Sequence, residues 1–267
     1  MPTETVVPKP AATVLLLRDD PNPPPGRAPL QVFLQRRVAG MAFAGGMTVF
    51  PGGGVDPSDR PDPARWSGPS PAQWGERLAC DAEMAGALVH AAVRETFEEC
   101  GVLLAGPGPS PHHEREALVA HRRTLGEVLA GAQLTLHSEL LAAWSRWITP
   151  EQSPKRYDTA FFVARVPEGQ EADAHTTEAV EATWWHPATA LEHWERGDMQ
   201  LLAPTFTSLR EIAEHPDAAS VLAAATQRVI TPIIPMVRRE GDQVVVVLPG
   251  DPGFETAEMH LTPGSPG

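Results

Sequence analysis

The chain has 267 residues, 42% of them apolar, with 34 acidic against 21 basic side chains and a formal charge of −13. That is enough apolar content for a packed core and too much for a wholly disordered chain. The negative balance argues against extended nucleic acid as a partner, because affinity for a phosphate backbone comes mainly from Lys and Arg. Met1–Pro10 carries no apolar segment of a leader type, and no run approaches the ~18 apolar residues of a membrane helix. No membrane partner and a reducing, cytoplasmic setting are therefore expected. Cys80 and Cys100 form no C-x-x-C pair; two small thiols, buried or half-buried, are expected rather than a bridge.

In chain order, Ala11–Leu17 and Leu30–Leu34 read as strands around a proline-rich loop, Asp19–Pro29. Gly45–Phe50 leads as a strand end into the glycine turn Pro51-Gly52-Gly53-Gly54. Val55–Trp74 has no period and reads as an irregular insertion. From Asp81 to Cys100 the pattern becomes helical, with Val89, Val93, Phe97 and Cys100 forming one apolar stripe and Gly101 as the C-cap. After a loop, Ala105–Pro111, the segment Glu114–Ala130 reads as one polar surface helix. Trp144–Ile148 and Ala160–Val166 read as strands, Ala182–Trp185 as another, and Pro187–Arg196 as a helix. Thr205–Ala225 is mostly helical and Val244–Leu248 is a late strand. Strands and helices without strict βαβ alternation point to an α+β or layered α/β/α fold. No internal repeat is present.

The chemistry concentrates in Arg94-Glu95-Thr96-Phe97-Glu98-Glu99-Cys100-Gly101-Val102. On a helix, residues three and four apart share a face, so Glu95, Glu98 and Glu99 project together, with Arg94 one turn before Glu98. Like charges repel there, and a hard divalent cation, which prefers oxygen ligands, would turn that repulsion into attraction. Without a cation the same residues are an ordinary solvated acidic face. Other residues rank lower. His112 and His113 have no third ligand at zinc spacing and read as surface histidines. Trp184 and Trp185 alternate along a strand, one packing inward and the other able to stack a base, and Trp144 and Trp147 allow the same reading. Ser145 lacks the G-x-S-x-G context of a serine hydrolase.

The stretch Arg94–Val102 resembles the second half of the Nudix signature, R-E-U-x-E-E-x-G-U with U aliphatic. Only Thr96 departs among the specified positions. Phe50-Pro51-Gly52-Gly53 resembles the entry of that signature, but Gly53 precedes Arg94 by 41 positions instead of the usual 14, an insertion of about 27 residues. The glutamate usual eight residues before the arginine is replaced by Gly86, with Glu83 nearby but out of register. A box split in this way is similar to the coenzyme A diphosphatase branch of the Nudix hydrolases. Val32–Arg37, Gly46–Gly53 and, weakly, Thr231–Pro235 and Leu248–Asp251 share the likeness. Arg37 matches the first arginine of a coenzyme A-associated motif, and Ala42 stands in place of the second.

The resemblance implies a Nudix-like α/β/α sandwich over residues 8–204, with an insertion at about 57–80 and a C-terminal extension, 205–267, packed on the same domain. It implies a Mg²⁺- or Mn²⁺-dependent hydrolase of a diphosphate linkage in a nucleoside-diphosphate-linked small molecule, coenzyme A derivatives included. The alternative is a catalytically silent Nudix-like binding protein or sensor. Metal ligands would be the Gly53 carbonyl, Glu95, Glu98 and Glu99. Glu98, Glu99, Arg94 and Glu178 are the candidate catalytic residues, with Glu178 as an additional ligand or base. Gly52, Gly54, Arg36 and Arg37 would meet substrate phosphate, one arginine rather than both. A homodimer is one assembly the resemblance allows.

Overall fold

A computed structural model describes residues 6–40, 44–106, 108–151, 153–176, 179–240 and 243–249. The sheet elements are β1 (Lys9–Asp19), β2 (Leu30–Arg37), β3 (Thr48–Val49), β4 (Gly52–Gly54), β5 (Trp66–Ser67), β6 (Ala105–Gly106), β7 (Thr135–His137) and β8 (Leu141–Ile148). They continue with β9 (Tyr157–Arg165), β10 (Ala179–Trp185), β11 (Pro232–Ile233), β12 (Met236–Glu240) and β13 (Gln243–Val247). The helices are α1 (Pro71–Leu78), α2 (Ala82–Cys100), α3 (Arg115–Val119), α4 (Leu125–Gly131), α5 (Pro187–Glu195), α6 (Ala203–Ile212) and α7 (Ala218–Ala225).

A mixed sheet runs in the order β10-β2-β1-β9-β8-β11, with β3 paired to β2 and β4 to β1. At its centre β1 lies parallel to β9 over nine residue pairs, Lys9–Tyr157 to Leu17–Arg165. Both faces of β1 are covered, which explains its continuous apolar run. Ala12, Val14 and Leu16 pack in one core with Val89, Val93 and Phe97 of α2. Leu15 and Leu17 pack in a second core with Leu209 and Ile212 of α6 and Val221 of α7. The result is the expected α/β/α sandwich, and helices from the 205–225 stretch cover its second face.

Helix α2 starts where Asp81 caps it by accepting a hydrogen bond from the Met84 amide, and it ends at Gly101, whose φ of 74° suits glycine. Thr96, the departure from the aliphatic pattern, is fully buried. Its hydroxyl donates to the Ala92 carbonyl at 2.7 Å, leaving the methyl for the core. Among the described residues no helix is long and apolar enough to cross a membrane. Both cysteines are free, Cys100 buried and Cys80 half-buried.

Several expectations need correction. Gly52–Gly54 form a strand, not only a turn, because Ala11–Thr13 pair with them antiparallel. The insertion is not wholly irregular: Trp66–Ser67 pairs parallel with β7, and Ser70 and Gln73 form a capping box that starts α1. The loop after α2 opens with β6, which pairs with β7. Glu114–Ala130 is two short helices, broken at His121 with a φ of 52°, and Leu118, Leu125, Val128 and Leu129 are buried rather than facing solvent. Ala42 lies outside the described residues.

Phe162 of β9 is fully buried and meets Trp74 of α1 edge-on, with ring centroids 5.7 Å apart. We expect Phe162→Ala to cost about 3–5 kcal/mol in urea unfolding. A loss under about 1 kcal/mol would mean that the α1 side of the core collapses without strain.

Candidate functional site

The acidic residues of α2 meet the sheet where β4 passes over the helix. Arg94 is the central group, its side chain only 7% exposed. Its Nη1 donates to Glu95 Oε1 at 2.7 Å and to Glu98 Oε2 at 3.1 Å, and Nη2 donates to the Gly54 carbonyl at 2.8 Å. Asp59 accepts from Nε and Nη2, both at 2.9 Å. Asp59 also faces His90 Nδ1 at 3.1 Å and accepts from the Asp56 amide at 2.8 Å. A carboxylate beside Arg⁺ can only accept here, so His90 Nδ1 carries the proton of that bond. Glu99 turns toward the sheet, where its Oε2 accepts from Gln35 Nε2 at 2.6 Å and from the Gly52 amide at 2.7 Å.

Burial and charge set the protonation of this cluster. Burial disfavours the Arg94 cation, yet its hydrogen bond to Asp59 and the charges of Glu95, Asp59 and Glu98 raise its pKa above the ordinary range. Burial likewise opposes ionisation of Asp59, and the bonds from His90 and Arg94 outweigh it and hold that carboxyl below its ordinary value. Glu95 goes the other way. Burial, reinforced by the Glu98 charge, pushes it up to about 7 despite Arg94. Three acids, Asp59, Glu95 and Glu98, therefore share one buried guanidinium, an excess of carboxylates over the cation they meet.

That excess bears on whether a divalent metal fits. Among the described residues no three acidic, histidine or cysteine groups converge as a ready-made ligand set. The donor chemistry nevertheless suits a hard cation: several carboxylates, one raised by burial, and a buried Gln35 Oε1 with no hydrogen-bond partner beside Glu99. Gly53 completes the cradle, since a Cβ at this position would lie 2.5 Å from Glu95 Oε1. The three glutamates do not project as one group, as the helical spacing alone suggested. Glu95 and Glu98 meet at Arg94, which donates to both, and Glu99 points at Gln35 and Gly52.

A cavity of about 550 Å³ opens beside this cluster. Gly52, Gly53, Gly54, Glu95 and Arg37 are among its lining residues, and Phe50, Trp147, Ile148, Pro150, Phe161 and Leu202 supply apolar walls. Arg37 and Arg36 separate, as neighbours on a strand do. Arg36 lines another recess with Thr48 and Trp185 and lies 3.5 Å from Glu181. Trp184 packs edge-on against Phe33 with Arg18 over its ring, Trp185 meets His193, and Trp144 is core. Trp147 is mostly buried but reaches the cavity wall. His112 and His113 are exposed, as expected. Glu178 lies outside the described residues. Asp59, His90 and Gln35 escaped the sequence reading. A glutamine directly after the apolar run Val32–Leu34 was the one available signal, since an inward polar residue needs a partner.

The far end of α2 is also anchored. Arg115 Nε donates to the Glu98 carbonyl at 3.0 Å, a cation at a helix C-terminus, while Nη1 grips both Asp173 oxygens at 2.7 and 2.8 Å. The loop before β10 is thereby tied to the last turn of the acidic helix.

The family model of the NUDT19 Nudix domain matches residues 73–212. The human acyl-coenzyme A diphosphatase NUDT19 is 26% identical over 279 residues, spanning 86% of this chain and 74% of that protein. The chicken acyl-coenzyme A diphosphatase NUDT19 is also 26% identical, spanning 90% and 78%. A crystal structure of a Nudix hydrolase from Alicyclobacillus acidocaldarius superposes with a TM-score of 0.66 at 26% identity, over 81% of this chain and 96% of that one.

Asp173 gives a pH prediction. Burial opposes its charge, but the Arg115 fork and the His175 amide outweigh burial and lower its pKa. A depressed carboxyl contributes stability above the unfolded value of about 4 and loses it as pH falls through the lower folded value. Asp173→Asn should therefore show a smaller fall in Tm than the parent between about pH 6 and about pH 3. An unchanged acid limb would mean that solvent screens this pair out.

Proposed function

The chain belongs to the NUDT19 Nudix domain family of hydrolases, and we propose that the diphosphate it cleaves is that of coenzyme A derivatives, acyl-coenzyme A foremost. One observation carries the substrate reading. The cavity lining combines glycine backbone, Glu95 and Arg37 with aromatic and aliphatic walls. A ligand that fills it must carry both a strongly anionic group and apolar bulk. An acyl-coenzyme A offers a diphosphate and a long apolar arm.

Glu95, Glu98, Glu99 and the Gly53 carbonyl are the residues we assign to holding Mg²⁺ or Mn²⁺. When bound, such an ion neutralises diphosphate charge and lowers the pKa of an attacking water. The remaining roles belong to the chain. Gly52, Gly53 and Gly54 bring backbone against the substrate where side chains would block it. Arg37, which lines the cavity, is the phosphate partner in preference to Arg36, which faces the other recess. Arg94 positions Glu95 and Glu98 and is already engaged on every side described above, so it acts through them. Glu98 or Glu99 takes the water's proton, with Glu178 as a further candidate base. The apolar walls exclude competing solvent from the reacting group. A silent binding protein has less support, since the three acids of the motif's second half are all present and Glu95 lines the cavity.

Incubated with Mg²⁺ or Mn²⁺, the purified protein should convert acyl-coenzyme A into an adenosine bisphosphate and an acyl phosphopantetheine, identified by mass. Glu98→Gln and Glu99→Gln should each lower turnover by about 10²–10⁴-fold while the far-UV circular dichroism of the folded protein stays that of the parent. No cleavage of coenzyme A compounds with either metal, or undiminished rates in both variants, would refute the reading. Arg37→Ala should raise KM more than it lowers kcat, and an Arg36→Ala effect of equal size would reverse the assignment of the two arginines.

A further inference from the structure

Residues 86, 90 and 94 form one stripe along α2, because each is four residues from the next. The insertion lies along that stripe. At its upper end a Cβ on Gly86 would stand 2.8 Å from Pro61 Cγ and 3.3 Å from Pro71 Cβ, so the insertion occupies the space a side chain there would need. One and two turns further down, Asp59 sits over His90 and Arg94, with its side chain fully shielded from solvent. The position that usually carries an acid in this motif is thus empty of one, and an acid from outside the motif lies on the same helix face.

We propose that Asp59 is a positioning residue of the hydrolase site: the insertion supplies through it the carboxylate that the motif lacks at position 86. Its role is electrostatic as well as geometric. By accepting from Nε and Nη2 of Arg94, Asp59 fixes the guanidinium so that Nη1 alone reaches Glu95 and Glu98. It also offsets the guanidinium charge, which leaves the two glutamates with negative charge for a cation. Were Asp59 neutral, Arg94 would compete with that cation for both glutamates. Gly86 and Asp59 are then two halves of one arrangement, glycine making room for the segment that delivers the acid. The inference rests on the reading of Glu95 and Glu98 as metal-binding residues.

The test uses the full chain and Mn²⁺ alone, titrated by electron paramagnetic resonance of the free ion, before any substrate is added. Asp59→Asn should weaken Mn²⁺ binding by about 10-fold or more, and with acyl-coenzyme A it should lower kcat by about 10–100-fold while KM stays within about threefold. Asp59→Asn combined with Arg94→Gln removes both charges, so no buried ion is orphaned and none competes with the metal. That double variant should regain at least about threefold of the Mn²⁺ affinity lost in Asp59→Asn, even though the two glutamates lose the guanidinium that positions them, a recovery that a merely structural Asp59 would not produce. Parental affinity and kcat in Asp59→Asn overturn the proposal, as does a double variant that folds and binds as weakly as the single one. If the single variant does not fold, the double one decides, and its failure to fold assigns Asp59 to packing and overturns the proposal. A parent chain that binds no Mn²⁺ refutes the metal-site reading and this one with it. Mn²⁺ binding by the parent that Asp59→Asn leaves unaltered refutes this one alone.

Discussion

A guanidinium taken out of water is costly unless its donors and its charge are both met, and Arg94 satisfies that condition with an arrangement spread over three parts of the chain. Asp59 comes from the insertion, Gly54 from the sheet, and Glu95 and Glu98 from the arginine's own helix. Breaking such a buried cluster by removing one member leaves an uncompensated charge, which costs about 3–5 kcal/mol in comparable cases. The site and the junction between insertion, sheet and helix are therefore held by the same group. Any change that releases Arg94 loosens the fold where the chemistry is gathered.

How much of this could be read from sequence follows the range of the interactions. Helix α2 was legible because its determinants are local: the stripe Val89, Val93, Phe97 and Cys100, the Asp81 cap and the Gly101 stop all lie within two dozen residues. Strand β1 was legible because burial on both faces leaves a continuous apolar run. Gly52–Gly54 misled because glycine favours turns by its own conformational freedom, whereas pairing with Ala11–Thr13 makes it a strand here. Glu114–Ala130 misled because its helical composition hides the break at His121 and the inward turn of Leu118 and Leu125. Asp59 was illegible in principle. Its partners lie 31 and 35 residues away, and an Asp in a Pro-rich stretch reads as a solvated loop residue until the fold brings Arg94 to it.

The same limit applied to the acids themselves. Helical spacing puts Glu95, Glu98 and Glu99 on neighbouring positions, but it says nothing of what the sheet offers each of them. Glu99 finds the Gly52 amide and the Gln35 amide and turns toward the strand, while Glu95 and Glu98 find Arg94. Three chemically identical side chains on one turn thus find two different sets of partners. Glu95, which burial raises, also lines the cavity.

Gly53 decides whether those positions communicate with the cavity at all. The acidic helix belongs to one side of the sandwich, and the apolar walls around Phe50, Phe161 and Leu202 belong largely to the other. Charge and apolar bulk can meet in one ligand only where the sheet between them is thin. Strand β4 supplies that thin place: it has no side chains, and at Gly53 a single added carbon would fall within 2.5 Å of the Glu95 carboxylate. The glycines therefore serve less as a flexible turn than as a rigid strand with nothing on it, paired to β1 on one edge so that the opening keeps its width. A flexible loop of the same composition would leave Glu95 and the cavity wall free to drift apart. Pairing removes that freedom, and it explains why a run of residues that ordinarily weakens a sheet stands at the point where the sheet must hold its geometry.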